Sequence, residues 1–584
     1  MKPWFIGNTT VRNPYRLRDG LISLSASSLN GNLVGTAQEI AFLELLRETG
    51  VIESNEGDRA FFGRKWRSAF AQLGFITAKL SRFSPKRPFP ESGIDPKLAP
   101  IVMGVPGLTG RPYEITESGR RLIAAELPSQ QQECFLRAIA AYRFPSVGDA
   151  TEDKDGNEAQ ARFSPLRLVL RILSELRKTG LSEVISREEM ASIVVFENNE
   201  NNVSNAIHVI DAYRRERAGA NNQKVFDRAY REAAVAKHEN VVTIGTLDDY
   251  RDINFRYLRA TGLFVSIGDS IGIAPEKQRL ADRMLDMPES DLDTPAYLRQ
   301  LWAGSVLPTD SRDEAREVID SVAVLLRAAG KPVEMPDISS ASIQDVTQIR
   351  LRLENEYRNV REEEYAKQQV HEWEDIVETM RKLAKNRRDF PDPPAYLEWV
   401  LWRAFLAINS LSNKPWDSRR FNVDRDFLPM HTAPGNGPDM IFEFDDFILV
   451  VEVTFTASSR QEGAEGEPVR RHVAMAVERE TTGKPVFGLF IANAIDSNTA
   501  ETFRIGTWYR PDDSRLALRI VPLTLTQFCD IFAAAFQHHG RLEPAYLMQL
   551  LKDCLVHKGE DGPRWKSCIA DEVTGGINRM YQRI

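Results

Sequence analysis

Pro438-Asp439-Met440-Ile441-Phe442-Glu443-Phe444-Asp445-Asp446-Phe447-Ile448-Leu449-Val450-Val451-Glu452-Val453-Thr454 reads as a β-hairpin with an acid at each end. Met440–Phe444 is a short apolar strand and Asp445-Asp446 a turn. Phe447–Val451 is a β-rich return strand whose continuation carries Glu452. Paired strands lie about 5 Å apart, so Asp439 and Glu452 converge at one end of the sheet. Two carboxylates side by side on apolar strands repel one another unless a positive group lies between them. A divalent cation supplies that charge, and Mg²⁺ is commonly held by one or two carboxylates together with waters and phosphate oxygens. The pair has the layout for metal-assisted phosphodiester hydrolysis. It equally fits two solvated acids at a hairpin edge, and the hairpin alone does not separate the two readings.

Around this stretch, 584 residues are too many for one core, so several domains are expected. A composition of 42% hydrophobic and 27% charged residues excludes a disordered or fibrous chain. No apolar run of about 18 residues occurs, so no membrane span is expected. Met1-Lys2-Pro3-Trp4 lacks the apolar core of a secretory signal. Cys134, Cys529, Cys554 and Cys568 are scattered, with neither a CxxC pair nor zinc spacing, which suits buried thiols in a reducing cytoplasm. The net charge of −8 is unevenly spread. Residues 1–130 carry 17 Lys and Arg against 12 Asp and Glu, a net +5 that leaves −13 for the remainder. A basic N-terminal part on an acidic remainder fits local DNA binding without requiring it.

Four segments follow along the chain. In residues 1–145, helical pattern begins near Thr36, and a second helix over Arg59–Leu73 carries Arg64, Lys65 and Arg67 beside Trp66 and Phe70. Tyr113-Glu114-Ile115-Thr116-Glu117-Ser118-Gly119 reads as a strand running into a capped helix, the ending of a winged-helix module. The helix bearing Arg64, Lys65 and Arg67 is then the one to enter a DNA groove; otherwise it is a solvated basic face. Residues 146–285 open on an acidic loop with Asp149, Glu152, Asp153 and Asp155, and repeat the pattern: an amphipathic helix from Pro165, a cap at Ser186, a basic helical stretch over 205–240, and strand–turn–strand through Phe264 and Ile273. Residues 286–390 alternate in charge and read as a solvated helical linker. Phe390-Pro391-Asp392-Pro393-Pro394 marks the boundary before the last segment, 391–584. There a helix at Ala395–Leu406 carries Glu398 among aromatic and aliphatic residues, so Glu398 faces solvent, pairs with Arg403, or joins an acid cluster. After the hairpin come a helix at Val469–Thr482, a strand at Pro485–Ile491, a helix from Ser497, a strand at Ala517–Val521 and a helix at Thr524–Ala535. The expected fold is a mainly helical N-terminal half with winged-helix-like modules, a helical linker, and an α/β C-terminal domain with a mixed sheet.

Asp439, the spacing to Glu452-Val453-Thr454, and Pro438 before Asp439 together resemble the PD-(D/E)XK nuclease core. The blocks His431–Met440, Asp446–Thr454 and Glu465-Gly466-Glu467-Pro468-Val469-Arg470-Arg471-His472, with Tyr396-Leu397-Glu398-Trp399, resemble the AlwI family of type IIS restriction endonucleases. That family includes strand-specific nicking enzymes. The resemblance implies N-terminal recognition of a short asymmetric double-stranded DNA site and Mg²⁺-dependent cleavage (one or two ions) at a fixed distance outside it. It implies Glu398, Asp439, Glu452 and Glu465 as catalytic acids, with Asp439, Glu452 and Glu465 on metal. Glu462 and Glu467 rival Glu465. Thr454 stands where the general nuclease pattern has lysine, and Arg471 or His472, Glu465 or a second metal is left to take that role. His431 and Gly435-Asn436-Gly437 are accessory candidates near the phosphate. Cutting both strands implies a transient homodimer through the nuclease domain or a small second subunit, and a protecting methyltransferase is expected as a separate chain. The alternatives are a nicking enzyme and a non-catalytic DNA-binding regulator.

Overall fold

Helices dominate, and the sheet that carries the hairpin lies in the C-terminal half of the chain. The computed structural model describes residues 3–52, 59–84, 86–145, 162–237, 243–288, 292–334, 338, 340–408, 410–435 and 437–582. Its contacts divide the chain into two units, Met1–Tyr357 with Asp424–Asp426, and Arg358–Val423 with Phe427–Ile584. Among the described residues no helix is long and apolar enough to cross a membrane. All four cysteines are free and buried.

In the second unit the hairpin forms as read. β1 (Met440–Glu443) pairs antiparallel with β2 (Ile448–Thr454), Met440 opposite Val451. β3 (Val486–Ala492) lies parallel to β2, with Glu452 opposite Phe490, and β4 (Ile520–Thr524) lies parallel to β3. The order β1-β2-β3-β4 is thus a mixed sheet. Every residue of β3 is buried, as expected of a strand with parallel neighbours and two covered faces. The helices of this unit are α1 (Pro393–Leu406), α2 (Arg460–Arg479), α3 (Ser497–Ile505) and α4 (Leu525–His539) around the sheet. Thr524 ends β4 and caps α4: its hydroxyl accepts the Gln527 N–H at 3.1 Å, and the Gln527 side chain accepts the Thr524 N–H at 2.8 Å. One apolar core joins α1, the sheet and α4, and it includes Ile376, Val377, Met380 and Leu383 of a further helix, Trp373–Lys385.

Three expectations are corrected here. The helix after the hairpin starts at Arg460, not Val469, so Glu465 lies on a helix rather than in a loop. The last strand is Ile520–Thr524, because residues before it are taken up by a two-stranded ribbon, Thr507–Tyr509 with Arg515–Ala517. The charged stretch after Ile343 is not a solvated spacer. It is two helices, Ile343–Gln368 and Trp373–Lys385, and its alternating charges include buried pairs. Arg350 is bound by Glu133, and Glu362 accepts Arg419 at 2.8 Å while only 1% exposed. Alternation in sequence does not reveal which charges have partners far along the chain.

In the first unit Arg59–Gln72 crosses Thr36–Glu48 so closely that a Cβ at Gly63 would stand 1.9 Å from the Glu39 carbonyl oxygen. Thr116 caps Glu117–Ala124 through the Gly119 N–H, and a Cβ at Gly119 would meet the Phe75 carbonyl oxygen at 2.2 Å. The expected strand before this helix is a single bridge, Ile76 to Ile115. Farther on, Phe264–Ile267 and Ser270–Ile273 form an antiparallel hairpin edged by Ile185–Ser186. The basic residues over 205–240 are largely paired: Arg214 to Glu189 at 2.6 Å, Arg217 to Asp227 at 2.7 Å and Arg231 to Glu188 at 2.6 Å. The acidic positions Asp149, Glu152, Asp153 and Asp155 fall outside the described residues.

α2 rests on the sheet at Gly488, where a Cβ would come within 2.7 Å of Val473 Cγ2 and 3.0 Å of Ile520 Cγ1. Gly488→Ala is expected to destabilise this unit by about 1–3 kcal/mol, the usual range for overpacking. Chemical denaturation checks it, and an unshifted unfolding midpoint would contradict so tight a contact.

Candidate active site

Asp439 precedes β1 by one residue, and the register of the hairpin sets it opposite Glu452 of β2. Its Oδ2 accepts the Val453 N–H at 2.9 Å, which fixes the carboxyl group against the return strand. Glu452 is 7% exposed, and its Oε1 lies 2.5 Å from His472 Nδ1 on α2. α1 contributes Glu398, which is buried and accepts the Ala433 N–H at 2.7 Å. Arg403, one turn along α1 and a candidate partner for Glu398, is instead bound to Glu372, Asp375 and Gln369. Glu398 therefore belongs with the acids of the hairpin and not with a helix-face ion pair.

The carboxyl groups act on each other. Burial, and then the charge of Asp439, holds Glu398 well above the usual carboxylate range. Asp439 is raised well above its ordinary value by burial and by Glu452, with Glu465 adding to the rise and His472 opposing it. Burial and the Glu465 charge push Glu452 up to about 8, and hydrogen bonding to Asp439 tempers the rise. The structure thus brings Glu398, Asp439, Glu452 and Glu465 into one electrostatic cluster. Burial and the Arg471 charge bring His472 down to about 4, so at neutral pH its contact with Glu452 is a hydrogen bond to a neutral ring. Its Nε2 is buried and without a hydrogen-bond partner among the described residues.

The remaining candidates stand apart. Glu467 is exposed and paired with Arg471 at 3.0 Å, one turn along α2. Glu462 lies 3.2 Å from the Thr502 hydroxyl. Thr454 bonds Thr456 through its hydroxyl at 3.1 Å and so braces the end of β2. His431 is buried, with Nδ1 2.6 Å from the Thr432 carbonyl. Asn436, between Gly435 and Gly437, lies outside the described residues. In the other unit Arg64 is exposed, while Lys65 Nζ lies 5.2 Å from the Phe61 ring centre. Arg67 departs from the expected DNA-facing role: it is bound to Glu39 at 2.5 Å and to the Leu33 carbonyl at 3.0 Å, and lies over the Tyr113 ring.

Sequence reasoning missed Arg420. Its backbone N–H donates to the Asp439 carbonyl at 3.2 Å, its Nη2 to the Gly435 carbonyl at 3.4 Å, and its charge acts on both Glu452 and His472. No spacing signal ties it to the hairpin; the local cue is only the pair Arg419-Arg420 ahead of Phe421.

Among the described residues no three His, Cys, Asp or Glu side chains already surround one ion-sized position. The donor chemistry nevertheless fits a hard divalent cation, which takes carboxylate oxygens and offsets repulsion among buried acids. Ligation requires the ionised carboxylates, so binding displaces protons. The metal-free protein holds the Glu452 proton more tightly than its unfolded chain does, from the ordinary value of 4.5 up to about 8. His472 works oppositely, but only between about 4 and 6.5. Between pH 6.5 and 8 metal-free stability from this site therefore falls as pH rises. The melting-temperature gain from added Mg²⁺ is expected to grow across that window, and thermal scans at fixed ionic strength check it. A gain that is flat or shrinking with pH would contradict the shift.

A family model described as AlwI restriction endonuclease matches residues 71–531. Among solved structures, the small subunit of the heterodimeric restriction endonuclease R.BspD6I is similar at 22% identity and a TM-score of 0.29, over 35% of this chain and 98% of that one. No curated protein matches.

Proposed function

The chain belongs to the AlwI restriction endonuclease family and is a site-specific deoxyribonuclease; we propose that it is a type IIS enzyme that hydrolyses DNA at the Glu398–Asp439–Glu452–Glu465 cluster, at a fixed distance from an asymmetric site read by its N-terminal half. The observation that supports this most is that Glu398, Asp439 and Glu452 are all held above their ordinary pKa by burial and by neighbouring carboxylates, Asp439 acting on Glu398, Glu452 on Asp439 and Glu465 on Glu452. Such a cluster is costly unless a cation is to occupy it.

Asp439, Glu452 and Glu465 would hold one or two Mg²⁺ ions. A bound ion supplies a water of lowered pKa and screens charge building on the phosphate. The chain's own residues keep the acids in place. The Val453 and Ala433 N–H groups orient Asp439 and Glu398, and neutral His472 orients Glu452. In-line attack of water on phosphorus breaks the P–O3′ bond and leaves a 3′-hydroxyl and a 5′-phosphate. Recognition belongs to two winged-helix-like modules, with exposed Arg64 and half-buried Lys65 facing DNA. Among the described residues the chain carries one such cluster, so cutting both strands takes a second copy or a small partner subunit.

Asp439→Asn is expected to abolish Mg²⁺-dependent cleavage while sparing site-specific binding, read by gel shift in Ca²⁺ beside a plasmid cleavage assay. Cleavage at the wild-type rate would overturn the assignment. On a supercoiled plasmid with one site, wild-type enzyme is expected to yield linear DNA, faster at higher enzyme concentration. Arrest at the open circle would mark the chain as a nicking enzyme instead.

A further inference from the structure

The general nuclease pattern places a lysine where this chain has Thr454, and the Thr454 hydroxyl is spent on Thr456. A phosphodiester centre gains negative charge as water attacks, and fixed cations aimed at that charge are a large part of catalysis. The basic groups nearest on α2 do not fill the role. Arg471 is held by Glu467 at 3.0 Å, and His472 Nδ1 is taken up by Glu452 at 2.5 Å.

Arg420 comes from a different place in the chain. The stretch before it runs along the free edge of β1: Arg419 forms a bridge with Met440, and the Ile441 N–H donates to the Ser418 carbonyl at 2.9 Å. That pairing carries the Arg420 backbone to Asp439, whose carbonyl accepts its N–H at 3.2 Å. The guanidinium then lies across the loop that enters Asp439. Nη2 reaches the Gly435 carbonyl at 3.4 Å, and a Cβ on Gly437 would stand 2.2 Å from Nη1. Gly437 has no side chain to keep the guanidinium off the backbone two residues before Asp439. The cation is thus delivered along the β1 edge of the sheet to the loop that enters Asp439.

We propose that Arg420 is the catalytic cation of this site, contacting a non-bridging oxygen of the scissile phosphate in place of the lysine that Thr454 does not supply, and that Gly437 is the gap that admits it. This rests on the acid cluster being the cleavage site. A guanidinium stays protonated at working pH, so Arg420 clamps phosphate and stabilises charge and takes no proton from water. Its planar fork matches two phosphate oxygens, which a lysine does not.

The test is single-turnover cleavage by the full chain with Mg²⁺, alongside site-specific binding in Ca²⁺. Arg420→Ala is expected to slow cleavage by about 100- to 1000-fold, the range for losing one charge-stabilising donor, with binding unchanged. Arg420→Lys is expected to recover part of the rate, and added guanidinium ion to rescue Arg420→Ala but not Asp439→Asn. Gly437→Ala is expected to mimic Arg420→Ala, and the double variant to be no slower than either alone. Arg479→Ala, at an exposed position in the last turn of α2, serves as the control and keeps its rate. Full activity in Arg420→Ala with a dead Asp439→Asn would overturn the proposal and leave the acid site standing. A slow Arg420→Ala that neither guanidinium nor Arg420→Lys improves would overturn it in favour of a packing role. An active Asp439→Asn would instead remove the acid site itself.

Discussion

Negative charge gathered in a buried place is the constraint on which the second unit depends. Three carboxyl groups, Glu398, Asp439 and Glu452, are drawn together by α1 and a hairpin, and Glu465 adds its charge from α2. Each of the three is pushed toward its protonated form, because a buried anion beside another anion loses its hydration and incurs repulsion. A fold built only for stability would replace such a group with apolar residues, since even paired buried charges seldom add stability. Here Glu452 interrupts an otherwise apolar run, Ile448–Val453, in the middle of the sheet. Strain of this kind is characteristic of sites where a ligand supplies the missing charge.

The scaffold serves that cluster with few devices. β2 and β3 run parallel through the core, so the end of β2 is held from both sides. Gly488 lets α2 lie against β3, which fixes how far His472 stands from Glu452. Gln461, fully buried at the start of α2, donates to the Thr456 and Ala494 carbonyls and accepts the Asp496 N–H at 2.8 Å. It thereby ties the turn after β2 to the turn after β3. On the other side the strand-like run through Arg419 pairs with Met440 and carries Arg420 to Asp439. Acids and cation come from elements far apart in sequence, and only the sheet brings them together.

Local pattern made the hairpin legible, and with it Asp439 and Glu452, because apolar strand runs around an Asp-Asp turn leave little else to form. The order of helices and strands after it was legible for the same reason. The helix was expected only from Val469, after Gly463, Gly466 and Pro468, which left Glu465 outside it; α2 nevertheless runs through all three. At Gly466 a Cβ would lie 3.5 Å from Thr502 Cγ2 of α3, so tertiary packing overrides local propensity there. Glu398 could be read as unusual but not placed, since its neighbours in space, Ala433 and Asp439, are set by the sheet. Arg420 was illegible, because nothing in Ser418-Arg419-Arg420-Phe421 announces a partner at Gly437. Arg67 was expected to face DNA from its helix, and nothing local announces that its partner Glu39 sits on the crossing helix.

Burial and neighbouring charge raise Glu398, Asp439 and Glu452, so a divalent cation that enters this site must displace protons. Proton release on metal binding tests it most directly. Mg²⁺ or Mn²⁺ is titrated calorimetrically into the full chain at pH 7, in buffers of differing ionisation enthalpy, with wild type compared to Glu452→Gln. The account predicts net proton release by wild type and less release by Glu452→Gln. Metal binding that releases no proton from the wild-type chain would contradict it.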